Sequence, residues 1–264
     1  MKSALLISTY NWPEALDLIL KSVLNQTRLP DEILIADDGS TEKTRELIRR
    51  FKKENNIVLR HIWQEDIGFR KSKILNKAIA QTTADYIIQI DGDCIIHKNF
   101  ISDHIVFAKK GFYLYGSRVN ILPHKVSEVF ENKIINFNFF SKEIKNRTRN
   151  LRISALSCLY KTHFQISNKF RGCNVSFWKN DLIAINGYNE DFEGWGREDS
   201  DLVIRLGNNG IGAKRLRYAG IVYHIFHKSN FSKTKWDFND RIQKETITKK
   251  VTKISNGIDK YLKK

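Results

Sequence analysis

Residues 86–94 read YIIQIDGDC. A run dominated by apolar and β-branched residues, suited to a strand buried on both faces, stops at two carboxylates, Asp91 and Asp93, with one glycine between them. In open α/β sheets ligands bind beyond the carboxyl ends of the strands, where this pair would stand. Residues i and i+2 of an extended segment point the same way, so Asp91 and Asp93 can offer hard oxygen ligands to one divalent cation while Gly92 keeps the backbone approachable. Asp-Gly is also a turn dipeptide, and simple chain reversal is the alternative.

Working outward, short β-rich runs alternate with amphipathic ones from Lys2 to about Val119. ALLIST (4–9) predicts a strand, followed by a helix with Pro13 in its first turn and Leu16, Ile19, Leu20, Val23 and Leu24 as one stripe. EILIAD (32–37) predicts the next strand, and a helix capped by Ser40 turns Leu47, Ile48 and Phe51 inward. This succession predicts an α/β fold with a mainly parallel central sheet covered by helices. A second strand-end pair, Asp37-Asp38, lies in ADDGS (36–40). GFRKSK (68–73) places Arg70, Lys71 and Lys73 where a helix begins, and cations with metal-bound carboxylates suit a departing diphosphate.

Residues 120–170 mix aromatic and basic residues without a clean period and read as a variable insertion. Order returns at 171–227, with the loop DFEGWG, the helix REDSDLVIRLGNN and a single strand over RLRYAGIVYHIF (215–226). Residues 228–264 carry 11 basic and 4 acidic residues and read as a basic tail outside a single catalytic domain, 1–227. The chain of 264 residues has 45 Lys and Arg against 29 Asp and Glu, a net +16 that suggests an anionic partner. Three scattered cysteines support neither disulfides nor a structural zinc, so a reducing cytosol is expected. No stretch approaches the roughly 20 apolar residues of a membrane span, which restricts membrane contact to the periphery.

Residues 6–44, GFRKSKILNKAI (68–79) and DYIIQIDGDCI (85–95) together resemble a family 2 glycosyltransferase, with Asp91-Gly92-Asp93 at the position of the DXD motif. NGYNEDFEGWGREDSDLVIRL (186–206) resembles the C-terminal region of the galactosyltransferase and N-acetylgalactosaminyltransferase families. The resemblance implies the Rossmann-like A-type nucleotide-diphospho-sugar transferase fold. It also implies transfer of a hexosyl or N-acetylhexosaminyl group from a UDP-linked donor to a glycan or lipid-linked acceptor, in cell-surface polysaccharide or lipopolysaccharide synthesis, with Mn²⁺ or Mg²⁺ as cofactor. It places Thr9, Tyr10, Asn11, Asp38, Arg70, Lys73 and Asp91 around the donor. Asp93, Asp91 and His224 would hold the metal, Gly194 and Trp195 would meet the acceptor, and Asp199 would be the general base with Glu198 orienting beside it. Inversion in a single displacement is the stereochemistry expected of this family.

The residues support those roles independently. Helical spacing puts Asp199 on the face of Leu202, Val203 and Leu206, where burial would raise its basicity. Asp201 is expected to form a solvated pair with Arg205 at i+4. Trp195, between glycines, can project a flat face suited to a sugar. The basic tail is read as a solvated helix face or as a peripheral contact with an anionic inner-membrane surface. Two other readings carry less support: a sugar nucleotidyltransferase lacks its glycine-rich loop after the first strand, and a nucleic-acid-binding module has charge but no motif.

Overall fold

Strands that are apolar on both faces must be covered on both faces, and that requirement shapes this chain. The computed structural model describes residues 1–228 and 232–262. Strands β1 (Ser3–Thr9), β2 (Glu32–Asp37), β3 (Leu59–Trp63) and β4 (Tyr86–Asp91) are joined by helices α1 (Pro13–Leu24), α2 (Glu42–Glu54) and α3 (Lys71–Gln81). Next come β5 (Cys94–Ile96), α4 (Phe100–Val106), β6 (Phe112–Tyr115), β7 (Ser117–Ile121), α5 (Val126–Glu131), β8 (Ile144–Lys145) and α6 (Ser154–Ser157). The last elements are β9 (Asn174–Trp178), α7 (Lys179–Ala184), α8 (Glu198–Asn208), β10 (Gly212–Arg215), β11 (Ile221–His224) and α9 (Lys233–Thr248).

Seven strands form the main sheet in the order β10-β6-β9-β4-β1-β2-β3, parallel except for β9, which runs antiparallel to β4 and β6. Helices α1, α2 and α4 cover one face of its core, and α3, α7 and α8 cover the other. The expected inward residues of α1 and α2 are buried, save Leu24, which is exposed. Ser40 does not cap α2, whose N-cap position is Thr41; its hydroxyl instead accepts the Asn11 N–H at 2.9 Å.

Two β-rich runs are each interrupted. FYLYGSRV (112–119) splits at Gly116 into β6 and β7, and the single strand expected over RLRYAGIVYHIF is broken between Arg215, where β10 ends, and β11 (Ile221–His224). The split builds a second sheet, β5-β11-β7-β8, on a core of its own that includes Val119, Ile144 and Tyr223. Residues 120–170, read as an insertion, supply β8 and Phe137, whose ring lies 4.6 Å from Tyr223. The stretch 228–264, read as a tail, also packs on the domain: Ile258 is fully buried against α3 and α7 residues, and Asn239 on α9 donates to the carbonyls of Glu193 and Gly196 at 3.0 and 2.9 Å. Residues 229–231, 263 and 264 of that stretch lie outside the described residues.

Candidate active site

The carboxyl ends of β2, β1 and β4 lie side by side, which gathers Asp37, Asp38 and Asp91 at one sheet edge. Ser8, paired in register with Asp91, donates its hydroxyl to that carboxylate at 3.0 Å. Gly92 is needed because a Cβ there would lie 2.4 Å from the Ser8 carbonyl oxygen. The chain turns at this point into β5, and the two carboxylates part. Asp91 faces Lys71 at 2.9 Å, whereas Asp93 faces His227 at 2.9 Å and His224 at 3.3 Å. The extended geometry expected of the motif is therefore absent, and Asp91 does not join Asp93 in the cluster.

Ligand atoms of Asp93, His224 and His227 lie within 4.8 Å of one another. Burial opposes a charge on Asp93, yet hydrogen bonds from His224 and His227 hold its carboxyl far below the usual range. The same contact pushes His227 up to about 9. One carboxylate and two imidazoles form a donor set that fits Mn²⁺ better than oxygen-seeking Mg²⁺. His227 is a neighbour of the expected ligand His224 in sequence, and the path of the chain after β11 brings it in.

Lys71, the first residue of α3, is the hub on the other side. Its ammonium lies 2.9 Å from Asp91, 3.2 Å from Asp199 and 3.6 Å from Glu198. Burial works against that charge, but Asp199, Asp91 and Glu198 outweigh it and raise the Lys71 pKa well above normal. Burial and the Asp199 charge push Glu198 up to about 7. Burial also raises Asp199, against the pull of Lys71. Glu198 is buried and accepts the Gly196 N–H at 3.0 Å, so it braces the Gly-Trp-Gly loop, while Asp199 is the more open of the two and accepts from Tyr188 at 3.3 Å. Gly172, unnoticed in the sequence, makes room for it: a Cβ there would fall 1.9 Å from Asp199 Oδ2.

The neighbouring cations behave differently. Arg70 turns its guanidinium to the Glu65 carbonyl at 3.1 Å and only its backbone N–H meets Asp38, at 2.7 Å. Lys73 makes no side-chain hydrogen bond or ion pair among the described residues. Asp201 and Arg205 do pair at 2.7 Å, but fully buried rather than solvated, with Arg205 also bonded to the carbonyls of Ile185 and Gly187.

Two cavities flank this cluster. One, of about 390 Å³, is lined by Tyr10, Asp38, Gly194, Trp195, His227 and Lys235 among others. Asp38 is buried there, which raises its pKa, and it accepts from Gln64 at 2.6 Å. Thr9 and Asn11 do not line it; Asn11 adopts φ 45° and ties the turn to Ser40 and Thr41. The other, of about 410 Å³, contains Lys71, Asp91, Glu198 and Asp199, with Arg118 and Arg171 on its wall. Trp195 borders both and stacks on Trp236 at 5.6 Å. Gly194, expected on the acceptor side, thus lies with Asp38, and Asp91, expected on the donor side, lies with Asp199. Lys235 and Trp236 come from α9, in the stretch that the sequence reading set apart. Among the described residues no helix is long and apolar enough to cross a membrane.

Residues 4–166 match the model described as glycosyl transferase family 2, and residues 152–228 match the model described as the N-terminal domain of galactosyltransferase. Together they run through residues 120–170, the segment read as a variable insertion. Validoxylamine A glucosyltransferase of Streptomyces hygroscopicus subsp. limoneus is 27% identical over 79% of this chain and 48% of its own length. Chondroitin synthase of Pasteurella multocida is 24% identical over 95% of this chain and 27% of its own. The chain therefore spans half or less of the length of these relatives. Among solved structures, GalNAc-T7 with UDP, GalNAc and Mn²⁺ superposes with a TM-score of 0.66 at 15% identity, covering 93% of this chain and 48% of that one. A mannosyltransferase of Pyrobaculum calidifontis in complex with GDP-Man and Mn²⁺ gives 0.61 at 17%, covering 94% and 61%. The fold is the A-type fold of glycosyltransferases, and the chain belongs to glycosyl transferase family 2.

Proposed function

We propose that this chain transfers a hexosyl or N-acetylhexosaminyl group from a UDP-linked donor to a hydroxyl of a glycan or glycolipid acceptor, by a divalent-cation-dependent single displacement that inverts the anomeric centre. The observation that carries the reading is the pair of cavities meeting at Trp195, one lined by Asp38 and by His227 of the Asp93-His224-His227 cluster, the other by Asp199. The donor nucleotide occupies the first, with Asp38 and Tyr10 at its base and ribose and Lys235 near its phosphates. Asp93, His224 and His227 would hold the cation, which when bound would neutralise charge on the leaving diphosphate.

The acceptor occupies the second cavity, where Trp195 offers a flat face to a sugar. Asp199 takes the proton from the attacking hydroxyl: burial raises its basicity, and Lys71 keeps it ionised and oriented. Glu198 positions the loop through the Gly196 N–H rather than touching substrate. Asp199→Asn keeps the shape and removes the base, so UDP release from the donor should fall about 10²-fold or more while donor affinity stays within about threefold. Near-normal release by that variant would contradict the assignment, and a product that keeps the donor's anomeric configuration would contradict the single displacement.

A further inference from the structure

A smaller cavity, of about 80 Å³, adjoins the Asp199 cavity and is lined by Arg118, Arg149, Lys169, Arg171 and Arg215 with Gly116 and Ser117. Five cations and no carboxylate surround it. Other arginines in the molecule do find acidic partners, as half-buried Arg197 does with Asp240 at 2.6 Å and buried Arg205 with Asp201 at 2.7 Å. None of the five has an ion-pair partner among the described residues, and the Arg215 Nε is buried without a hydrogen-bond acceptor. Burial together with Arg215, Arg118, Arg217 and Arg171 holds Arg149 below the usual guanidinium range. Crowding like charges around a hollow destabilises a fold unless an anion fills it.

The positions come from separate parts of the chain: Arg118 from β7, Arg215 from β10, Arg149 from the turn at 147–150, and Lys169 and Arg171 from the loop before β9. Arg118 and Arg171 line this hollow and the Asp199 cavity alike. A ligand that reaches both is therefore a chain molecule with an anionic group beyond the sugar at Asp199. The donor diphosphate is assigned to the other cavity, across Trp195.

We propose that this pocket binds an oxyanion, carboxylate or phosphate, carried by the acceptor glycan next to the sugar whose hydroxyl faces Asp199. The inference rests on reading the Asp199 cavity as the acceptor side. Guanidinium forks suit both groups, which accept two parallel N–H donors.

The test is calorimetric titration of the full chain, without donor, with two saccharide pairs: trigalacturonate against its carboxyl-reduced neutral form, and maltotriose phosphate against maltotriose. The acidic member of at least one pair should bind about tenfold tighter or more, and that preference should weaken as salt rises. Which pair shows it distinguishes carboxylate from phosphate. Lys169→Gln and Arg215→Gln should each cut the preference at least about threefold and together abolish it, leaving the neutral saccharides unaffected. Lys169 is exposed, so its variant reports on charge without disturbing the fold. Equal binding of both members in both pairs would overturn the proposal, as would a preference that survives the double variant. Inorganic phosphate binding as tightly as the acidic saccharide would also overturn it, and so would a single-stranded oligonucleotide binding more tightly and losing affinity in the same variants. Because no donor is present, a chain that binds acidic saccharide yet never releases UDP would retain this site and lose the transferase reading.

Discussion

Lys71 Nζ and Asp199 Oδ2 stand 3.2 Å apart although 128 residues separate them in sequence. The contact joins α3, the helix that leads into β4, to the helix that follows the Gly-Trp-Gly loop. Asp91 and Glu198 share the same ammonium, so three carboxylates answer one cation. One proton is readily retained by such a cluster, and Glu198, the more deeply buried of the α8 pair, holds it up to about pH 7.

That retention makes stability depend on pH. The native Glu198 pKa lies above its unfolded value, so its contribution is fully present below about 4.5 and is lost as pH rises through about 7. Glu198→Gln removes this dependence while keeping an acceptor for the Gly196 N–H. Urea unfolding of the two proteins should show the variant gaining on the wild type by roughly 3 kcal/mol between pH 4.5 and pH 8. A constant difference across that range would place the proton elsewhere.

Gly172 controls the position of Asp199. In Gly172→Ala the new methyl group meets the carboxylate and must displace it. Turnover should fall about 10²-fold, because a misplaced base loses its alignment, while stabilisation by UDP stays as in the wild type. Kinetics with wild-type turnover would separate Gly172 from the chemistry.

The end of the chain is structural. Truncation after Thr248 removes Ile258, which is fully buried, and the bonds from Lys260 and Tyr261 to Glu190 at 2.7 and 3.0 Å. Loss of one such core side chain costs about 2–5 kcal/mol, so thermal melting should drop by several degrees or the protein should fail to accumulate. A truncated chain that melts with the full-length one would restore the detached-tail reading.

The parallel half of the fold was legible because β1, β2 and β4 are apolar on both faces and the intervening helices carry single stripes. The second sheet was not. Gly116 and Gly220 approach Asn174 and each other so closely that a Cβ on Gly116 would lie 2.3 Å from both Asn174 Nδ2 and the Gly220 carbonyl, and that tertiary contact divides runs whose β propensity is continuous. Asp38, Asp199 and Trp195 fall in the cavities because strand ends and helix starts place them there. Lys71 instead of Arg70, and His227 beside His224, depended on side-chain directions that spacing leaves open. Asp201 with Arg205 has the same i+4 spacing whether solvated or buried, and only packing against Ile185 and Gly187 decides it.

The most direct measurement is the thermal stability of the full chain with UDP, with Mn²⁺, and with both, for the wild type and Asp93→Asn. A ligand that binds only the native state stabilises it by about 2.7 kcal/mol at a hundredfold excess over Kd. Melting temperature should rise clearly with UDP only when Mn²⁺ is present, and that rise should be lost in Asp93→Asn. Equal stabilisation by UDP without any divalent cation, or a Mn²⁺-dependent rise that persists in Asp93→Asn, would contradict the proposed function.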